Sequence, residues 1–240
     1  MGNDIKHFED KWTAIIPKMP QGGEYRFDLR QYGHDIIKEQ IESGSSVFDF
    51  ACGLAVIDEQ LQIEKGCTVA GCDFSEVAID YSIKTTNGDF RKTDKIFGTK
   101  YDYVLAIQFL EHIKEPCKWL DECFEKTDTI ICALPNNFRK TGEHVDMQWS
   151  SWEQFNNLFS AYNVERIDIG KYPDRLHQAF RHPIFKFTQK EKKYAPVNDT
   201  RPPEETIEKS NQESDQGNQE SGQVKQKRKR RTRAEMEASR

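Results

Sequence analysis

Short apolar runs alternate with amphipathic stretches along the first 190 residues of the chain. This alternation is typical of βαβ units, in which parallel strands are joined by helices that cover the sheet. The apolar runs predict strands at residues 46–50, 67–73, 101–107 and 129–134, with a weaker strand just before Asp89. The amphipathic stretches predict helices at residues 57–64, 75–83, 116–126 and 151–159. The pattern therefore predicts an α/β fold with a mostly parallel sheet.

Two further apolar runs follow the last of these helices, at residues 164–169 and 183–188. The turn-forming residues Gly170, Pro173 and Asp174 lie between them. Turn-forming residues allow the chain to reverse its direction between two strands. We therefore predict that the two runs form an antiparallel pair.

The composition divides the chain into three segments. They are a helical N-terminal cover at residues 1–45, a folded domain at residues 46–190 and a polar tail at residues 191–240. Of the 35 basic and 40 acidic side chains, 12 and 10 lie in the tail, so the rest of the chain is acidic. The tail has too few apolar residues to offset the entropy of ordering it, and we predict that it is disordered. Seven of the nine residues from Lys225 to Arg233 are basic, which makes this cluster a candidate contact for nucleic acid or an acidic protein surface.

The sequence disfavours a membrane location and a metal site. No apolar run approaches the roughly 18–20 residues that a membrane span requires, and the N-terminus lacks the basic and apolar segments of a secretory signal. The six cysteines include no Cys-x-x-Cys pair, which disfavours zinc ribbons and thioredoxin-type sites. We therefore expect a cytoplasmic chain with reduced cysteines and no bound metal.

A carboxylate and a tight turn follow the first predicted strand. Asp49 precedes the small residues Ala51, Cys52 and Gly53, and a helix begins soon afterwards. Small residues let a ligand approach the backbone closely, and a helix N-terminus offers free N–H groups. Asp73 follows Gly53 by twenty residues and ends the second predicted strand, where a carboxylate can accept both hydroxyl groups of a ribose. This arrangement predicts a site for a nucleotide-type cofactor.

Two classes of cofactor fit such a site. The dinucleotide pattern Gly-x-Gly-x-x-Gly is absent, because the turn after Asp49 contains a single glycine. An acid at the strand end also suits a cationic ligand better than a pyrophosphate. S-adenosylmethionine carries a positive ammonium and a positive sulfonium and has no phosphate. The site therefore favours S-adenosylmethionine, with a dinucleotide-dependent oxidoreductase as an alternative.

Five segments in order resemble the motifs of a known enzyme family. Residues 47–55 read Val-Phe-Asp-Phe-Ala-Cys-Gly-Leu-Ala, and residues 71–75 read Gly-Cys-Asp-Phe-Ser. Together with residues 88–90, 101–116 and 134–150, they resemble class I S-adenosylmethionine-dependent methyltransferases of the small-molecule type. The resemblance implies a Rossmann-like, doubly wound, mostly parallel seven-stranded sheet with a terminal antiparallel hairpin.

The resemblance also implies roles for single residues. The turn after Asp49 passes the methionine part of the cofactor, Asp73 binds the ribose, and Asp89 with Phe90 flanks the adenine. Gln108 lies where the family often contacts the cofactor near its methyl group. The implied cofactor-binding residues are Asp49, Ala51, Cys52, Gly53, Asp73, Phe74, Asp89, Phe90 and Gln108.

The main catalytic task of such a protein is to align the acceptor with the methyl group of the cofactor. Methyl transfer is an in-line displacement, so the protein brings the acceptor to the methyl group and excludes water. A general base is needed where the acceptor loses a proton, and His112 and His144 are the candidates because histidine titrates near neutral pH. We expect transfer to an O or N atom of a small-molecule or sugar-like acceptor.

Two departures from the first motif leave an alternative function open. Ala51 and Ala55 replace the first and third glycines of the motif, and alanine resists a positive φ. The alternative is a catalytically weak or inactive methyltransferase-like module that docks on nucleic acid or a protein partner through its basic C-terminal tail.

Overall fold

The computed structural model describes residues 4–18, 28–135, 147–173 and 182–190. The strands are β1 (Ser46–Phe50), β2 (Thr68–Asp73), β3 (Asp89–Lys92), β4 (Tyr103–Ile107), β5 (Ile130–Ala133), β6 (Tyr162–Arg166) and β7 (Ile184–Gln189). The α-helices are α1 (Asp4–Ile15), α2 (Asp28–Glu39), α3 (Val56–Lys65), α4 (Glu76–Thr85), α5 (Pro116–Phe124) and α6 (Trp152–Leu158). Single 3₁₀ turns lie at Ile16–Lys18 and Leu110–His112. The strands and helices lie within a few residues of the predicted ones.

All seven strands form one sheet in the order β3-β2-β1-β4-β5-β7-β6. Strands β1 to β5 are parallel, whereas β7 is antiparallel to both β5 and β6. This is the predicted doubly wound sheet with a terminal antiparallel pair. The chain reverses its direction of winding at β1, because β2 lies on one side of it and β4 on the other. Ligands of open parallel sheets bind at such a switch point, outside the carboxyl ends of the strands.

Two predicted strand positions are wrong by a few residues. β3 begins at Asp89 rather than before it, because Asp89 itself pairs in register with Ala70 of β2. β6 begins at Tyr162 rather than at residue 164. The Tyr162 ring stacks on Phe124 at 5.7 Å, and its hydroxyl donates to Oδ1 of Asp121, so burial of this side chain sets the start of the strand.

Side chains alternate along β1, and this alternation decides which layer each one meets. Phe48 and Phe50 pack with the aromatic cluster on the α5 and α6 side of the sheet, whereas Val47 packs with α2 and α3. Successive side chains of a strand point to opposite faces. Asp49 lies between the two phenylalanines and therefore points to the face that α3 covers.

Several predictions concern residues outside the described ranges. The tail at residues 191–240 is one, and its basic cluster is part of it. The division into segments 1–45, 46–190 and 191–240 therefore stays a prediction, although α1 and α2 both lie in the first segment. None of the described helices combines the length and the apolar character that crossing a lipid bilayer requires.

Candidate functional site

The turn from β1 to α3 runs over the carboxyl end of the sheet. Cys52 is half-buried, and its backbone N–H donates to the carbonyl oxygen of Cys72 at 3.0 Å, which anchors the turn to β2. Ala51, Gly53 and Ala55 all lie in the left-handed region, with φ of 58°, 53° and 51°. Both alanines thus adopt a positive φ, the conformation that alanine resists. The turn forms with alanine in place of the first and third glycines of the motif, at a cost in backbone strain.

We expect Ala51→Gly to raise the free energy of unfolding by about 0.5–1 kcal/mol. The left-handed conformation costs alanine about 1–2 kcal/mol, and the greater freedom of glycine in the unfolded chain offsets about 0.4–1 kcal/mol of the gain. Urea unfolding measures the difference. The control is Ala78→Gly in the right-handed backbone of α4, which should destabilise by about 1 kcal/mol. A destabilised Ala51→Gly protein would show that the turn is not strained.

Asp73 ends β2 and connects that strand to the turn. Its Oδ2 accepts a hydrogen bond from the backbone N–H of Gly53 at 3.0 Å, and its Oδ1 accepts one from the N–H of Ser75 at 2.8 Å. The side chain is buried, and burial raises its pKa while these hydrogen bonds oppose the shift. β1 and β2 are adjacent and parallel, with Asp49 paired to Gly71, so the two predicted acids lie at neighbouring strand ends.

Three carboxyl groups are buried beside this turn. Asp49 is 3% exposed and Asp58, in the first turn of α3, is 0% exposed. Burial raises the pKa of Asp49 well above its ordinary value, and the adjacent Asp58 raises it further. Burial also raises the pKa of Asp58 to about 7. Among the described residues, no Lys or Arg pairs with Asp49, Asp58 or Asp73, so this cluster is a buried acidic environment that suits a cation.

Asp58 looks like an ordinary helical acid in the sequence. An acid in the first turn of a helix is ordinary, because the helix dipole favours negative charge there. The sequence feature that indicates burial of Asp58 is its position beside Ile57 and three residues before Leu61, both of which are buried. An acid on the apolar stripe of a helix is uncommon and indicates a buried charge.

Asp89 and Phe90 do not join the other predicted residues. Asp89 pairs with Ala70, three residues from the strand end that carries Asp73, which is about 10 Å along a strand. Its carboxylate is exposed and holds the guanidinium of Arg91 with contacts of 2.6 and 2.9 Å. Phe90 is buried in the core, and its ring would lie only 2.8 Å from a Cβ placed on Gly71.

An exposed acid does follow the carboxyl end of β3. Asp94 comes two residues after Lys92, the last residue of that strand, and Lys92 pairs in register with Asp73. The charge of Asp94 contributes to the raised pKa of the Cys72 thiol, after burial and the nearer Asp73 and Asp49. Asp94 therefore lies near the end of the sheet that holds the turn, where the sequence analysis had placed Asp89.

Phe74 and Gln108 lie at the predicted end of the sheet. Phe74 follows Asp73 directly and is half-buried. Gln108 follows the last residue of β4 with a left-handed φ of 55°, and its backbone N–H donates to the carbonyl oxygen of Ala133 at 2.8 Å. Its side-chain amide contacts the same oxygen at 3.4 Å. A strained residue at a switch point is typical of ligand sites.

His112 closes the 3₁₀ turn that follows β4. Its ring is partly exposed, and its Nε2 lies 4.0 Å from Oε1 of Glu111. Glu111 is 0% exposed, and neither of its carboxyl oxygens has a hydrogen-bond partner among the described residues. Burial raises the pKa of Glu111 to about 8. The second predicted base, His144, lies outside the described residues.

Helix α1 caps α4 from another part of the chain. The carboxylate of Glu9 accepts hydrogen bonds from the backbone N–H of Glu76 at 2.8 Å and from the hydroxyl of Ser75 at 2.9 Å. Ser75 itself accepts a hydrogen bond from the N–H of Ala78 at 3.2 Å, which confirms it as the predicted N-cap. Burial would raise the pKa of Glu9, but its hydrogen bonds outweigh burial and lower it. Glu9 is therefore an anionic cap that fastens α1 to α4.

Two aromatic side chains of α1 lie over the predicted cofactor residues. The Phe8 ring meets Phe74 edge-on at 5.3 Å and His112 edge-on at 6.0 Å. The Trp12 indole approaches Gly53 so closely that a Cβ there would lie 2.9 Å from the ring. A ligand held by the turn, Asp73 and Phe74 must therefore either touch α1 or displace it.

We expect Glu9→Ala to increase hydrogen exchange of the α1 amides about tenfold, because the change removes charge-assisted hydrogen bonds to α4. Hydrogen exchange with mass spectrometry on peptides that cover residues 4–15 measures this. The matched control is Asp10→Ala, which removes an exposed acid one residue along the same helix. Equal exchange in the two variants would show that Glu9 does not hold α1 in place.

Within the described ranges, no group of three or more His, Cys, Asp or Glu side chains has the arrangement of a metal site.

Several solved structures that resemble this fold are methyltransferases. A chain of the complex between the Trm112 methyltransferase activator and the putative methyltransferase of Haloferax volcanii is 16% identical, with a TM-score of 0.57 over 76% of this chain and 97% of that chain. The plantazolicin methyltransferase BpumL, in complex with a triazolic desmethylPZN analog and SAH, is 14% identical, with a TM-score of 0.52 over 79% of this chain and 100% of that chain. A SAM-dependent methyltransferase from Aquifex aeolicus is 16% identical, with a TM-score of 0.50 over 75% and 97%.

The chain has the fold of the class I S-adenosylmethionine-dependent methyltransferases, which confirms the resemblance found in the sequence. The family model described as "Methionine biosynthesis protein MetW" matches residues 31–150, which is half of the chain. The chain belongs to this family. A comparison with curated proteins finds no match.

Proposed function

We propose that this protein binds S-adenosylmethionine and transfers its methyl group to an O or N atom of a small-molecule or sugar-like acceptor. The observation that carries the proposal is the link between the two strand ends. Asp73 holds the backbone N–H of Gly53 at 3.0 Å, so the acid suited to a ribose and the turn suited to the methionine part form one unit. Methyltransferase fold and family membership support the same reaction.

The chemistry of the site supports this cofactor over a dinucleotide. Buried carboxyl groups lie beside the turn, and a pyrophosphate placed there would meet like charge. S-adenosylmethionine instead presents an ammonium and a sulfonium. Asp49, Cys52 and Gly53 would hold the methionine part, with Asp73 on the ribose and Phe74 beside the adenine. We propose Asp94 rather than Asp89 as the acid that meets the adenine, since it follows the carboxyl end of β3.

The bound cofactor supplies an activated methyl group, so the protein has to position the acceptor and keep water out. Helix α1 helps to keep water out, because Phe8 and Trp12 cover the turn and Phe74. His112 lies beside Phe8 and is our candidate to take a proton from the acceptor. His144 is proposed as a second base on the resemblance alone.

Calorimetric titration of the full chain with S-adenosylhomocysteine tests the cofactor assignment, with NADH as the comparison ligand. We expect saturable one-to-one binding of S-adenosylhomocysteine and no binding of NADH. The converse result would overturn the proposal in favour of an oxidoreductase. For the acceptor, S-adenosylmethionine labelled in the methyl group is incubated with the protein and a cell extract. Label in the small-molecule fraction supports the proposed acceptor class, whereas label in protein or nucleic acid contradicts it.

A further inference from the structure

Trp12 of α1 occupies the space directly over the turn between β1 and α3. A Cβ placed on Gly53 would lie 2.9 Å from Cζ2 and 3.2 Å from Cη2 of the indole, so the ring is in contact with the backbone of this turn. A glycine lets another group approach the main chain closely. Here a side chain of the protein itself makes that approach, at the position where the methionine part of the cofactor is proposed to lie.

Two neighbours in α1 keep the indole in this place. Phe8 and Glu9 precede Trp12 by four and three residues, so the three side chains lie on one face of the helix. The carboxylate of Glu9 accepts hydrogen bonds from the hydroxyl of Ser75 at 2.9 Å and from the first backbone N–H of α4 at 2.8 Å. The Phe8 ring meets Phe74 edge-on at 5.3 Å. Contacts outside the helix therefore fix the position of the indole over the turn.

The indole and a bound methionine part cannot both contact Gly53, because two groups packed against the same atoms exclude each other. α1 has only 12 residues, and an isolated helix of that length is marginal in water, so its position depends on its contacts with the rest of the chain. Those contacts therefore oppose entry of the ligand. The apparent affinity is the intrinsic affinity reduced by the fraction of molecules in which the turn is free.

We propose that α1 is an autoinhibitory element, in which Trp12 blocks the methionine part of the cofactor site and Glu9 holds the helix in the blocking position. The inference rests on the proposed function. Cofactor binding displaces the indole from Gly53, and this block is confined to the turn. Phe8 therefore continues to cover Phe74 and to exclude water when the cofactor is bound.

Two ligands test which part of the site is blocked. S-adenosylhomocysteine contains the amino-acid part derived from methionine, whereas 5′-methylthioadenosine keeps the adenosine and the thioether but lacks that part. In Trp12→Ala the turn is free, and we expect affinity for S-adenosylhomocysteine to rise about fivefold or more. Affinity for 5′-methylthioadenosine should change less than about twofold, because it does not need the space over Gly53. Calorimetry on the full chain gives both dissociation constants.

A second variant releases the helix without altering the indole. Glu9→Ala removes the hydrogen bonds to Ser75 and α4, so α1 leaves the turn more often, and affinity for S-adenosylhomocysteine should rise about threefold or more. Asp10→Ala is the matched control, because that exposed acid lies one residue along the same helix. Its two affinities should equal those of the parent protein.

The outcomes distinguish this inference from the proposed function. Tighter binding of S-adenosylhomocysteine in both variants, without a matching gain for 5′-methylthioadenosine in Trp12→Ala, supports autoinhibition. Unchanged or weaker binding in Trp12→Ala overturns the inference, and so does an equal gain for both ligands, since the indole then does not act on the methionine part. An unchanged affinity in Glu9→Ala overturns the role of Glu9. If neither the parent protein nor either variant binds S-adenosylhomocysteine, the proposed function is overturned as well.

Discussion

Asp73→Ala is expected to abolish detectable binding of S-adenosylhomocysteine and to lower the free energy of unfolding by about 2–4 kcal/mol. The carboxylate accepts hydrogen bonds from two backbone N–H groups, at 3.0 Å from Gly53 and 2.8 Å from Ser75. Alanine leaves both donors without this acceptor at a buried position. It also removes the Gly53–Asp73 hydrogen bond between the turn and β2, so the segment proposed to hold the methionine part is fixed less firmly relative to the ribose site.

Calorimetry and urea unfolding measure the two effects of Asp73→Ala. The matched control is Asp80→Ala, which removes an exposed acid from α4 and should change neither quantity. Because the alanine variant is destabilised, Asp73→Asn is a useful second variant. It keeps one acceptor oxygen, and we expect its free energy of unfolding to fall by about half as much as that of Asp73→Ala. If Asp73→Asn is folded and binds the ligand as tightly as the parent protein, Asp73 is not the ribose acid.

Glu111→Gln is expected to change how stability depends on pH. Burial raises the pKa of Glu111 from 4.5 to about 8, so the folded state keeps a proton that the unfolded state has released. The protonated carboxyl group stabilises the fold fully at a pH below the pKa that Glu111 has in the unfolded state. This contribution is lost as the pH rises through the pKa that Glu111 has in the folded state. The loss is about 1.4 kcal/mol per pH unit, or about 3–5 kcal/mol in total between pH 4.5 and pH 8.

Glutamine cannot ionise, so it removes this dependence. We expect Glu111→Gln to resemble the parent protein in stability at pH 5 and to be more stable by about 3 kcal/mol or more at pH 8.5. Urea unfolding at pH 5, 7 and 8.5 tests this. Glu115→Gln is the control, because that exposed acid lies four residues away and should leave the pH dependence unchanged. Parallel curves for Glu111→Gln and the parent protein would contradict a proton held at Glu111.

The fold and half of the site follow from local patterns. Strands, helices and the antiparallel pair are periodic features of the sequence, and parallel strands place Asp49, the turn and Asp73 at one end of the sheet. Asp89 and Phe90 illustrate the limit of this reasoning. β3 begins at Asp89 instead of ending near it, and the strand's register with β2 moves both residues away from the turn. Local sequence fixes an element's type more firmly than its ends.

The sequence by itself determined the sheet, its helices and the acids at the ends of β1 and β2, because those features depend on the period of apolar residues and on the residue types in the turn. The tertiary structure alone decided which acids are buried and what covers them. Asp58 and Glu111 look like ordinary polar residues until packing removes water from them. Glu9 meets Ser75 across 66 residues of chain, and no local pattern encodes that contact, because it exists only after the sheet has brought α1 and α4 together.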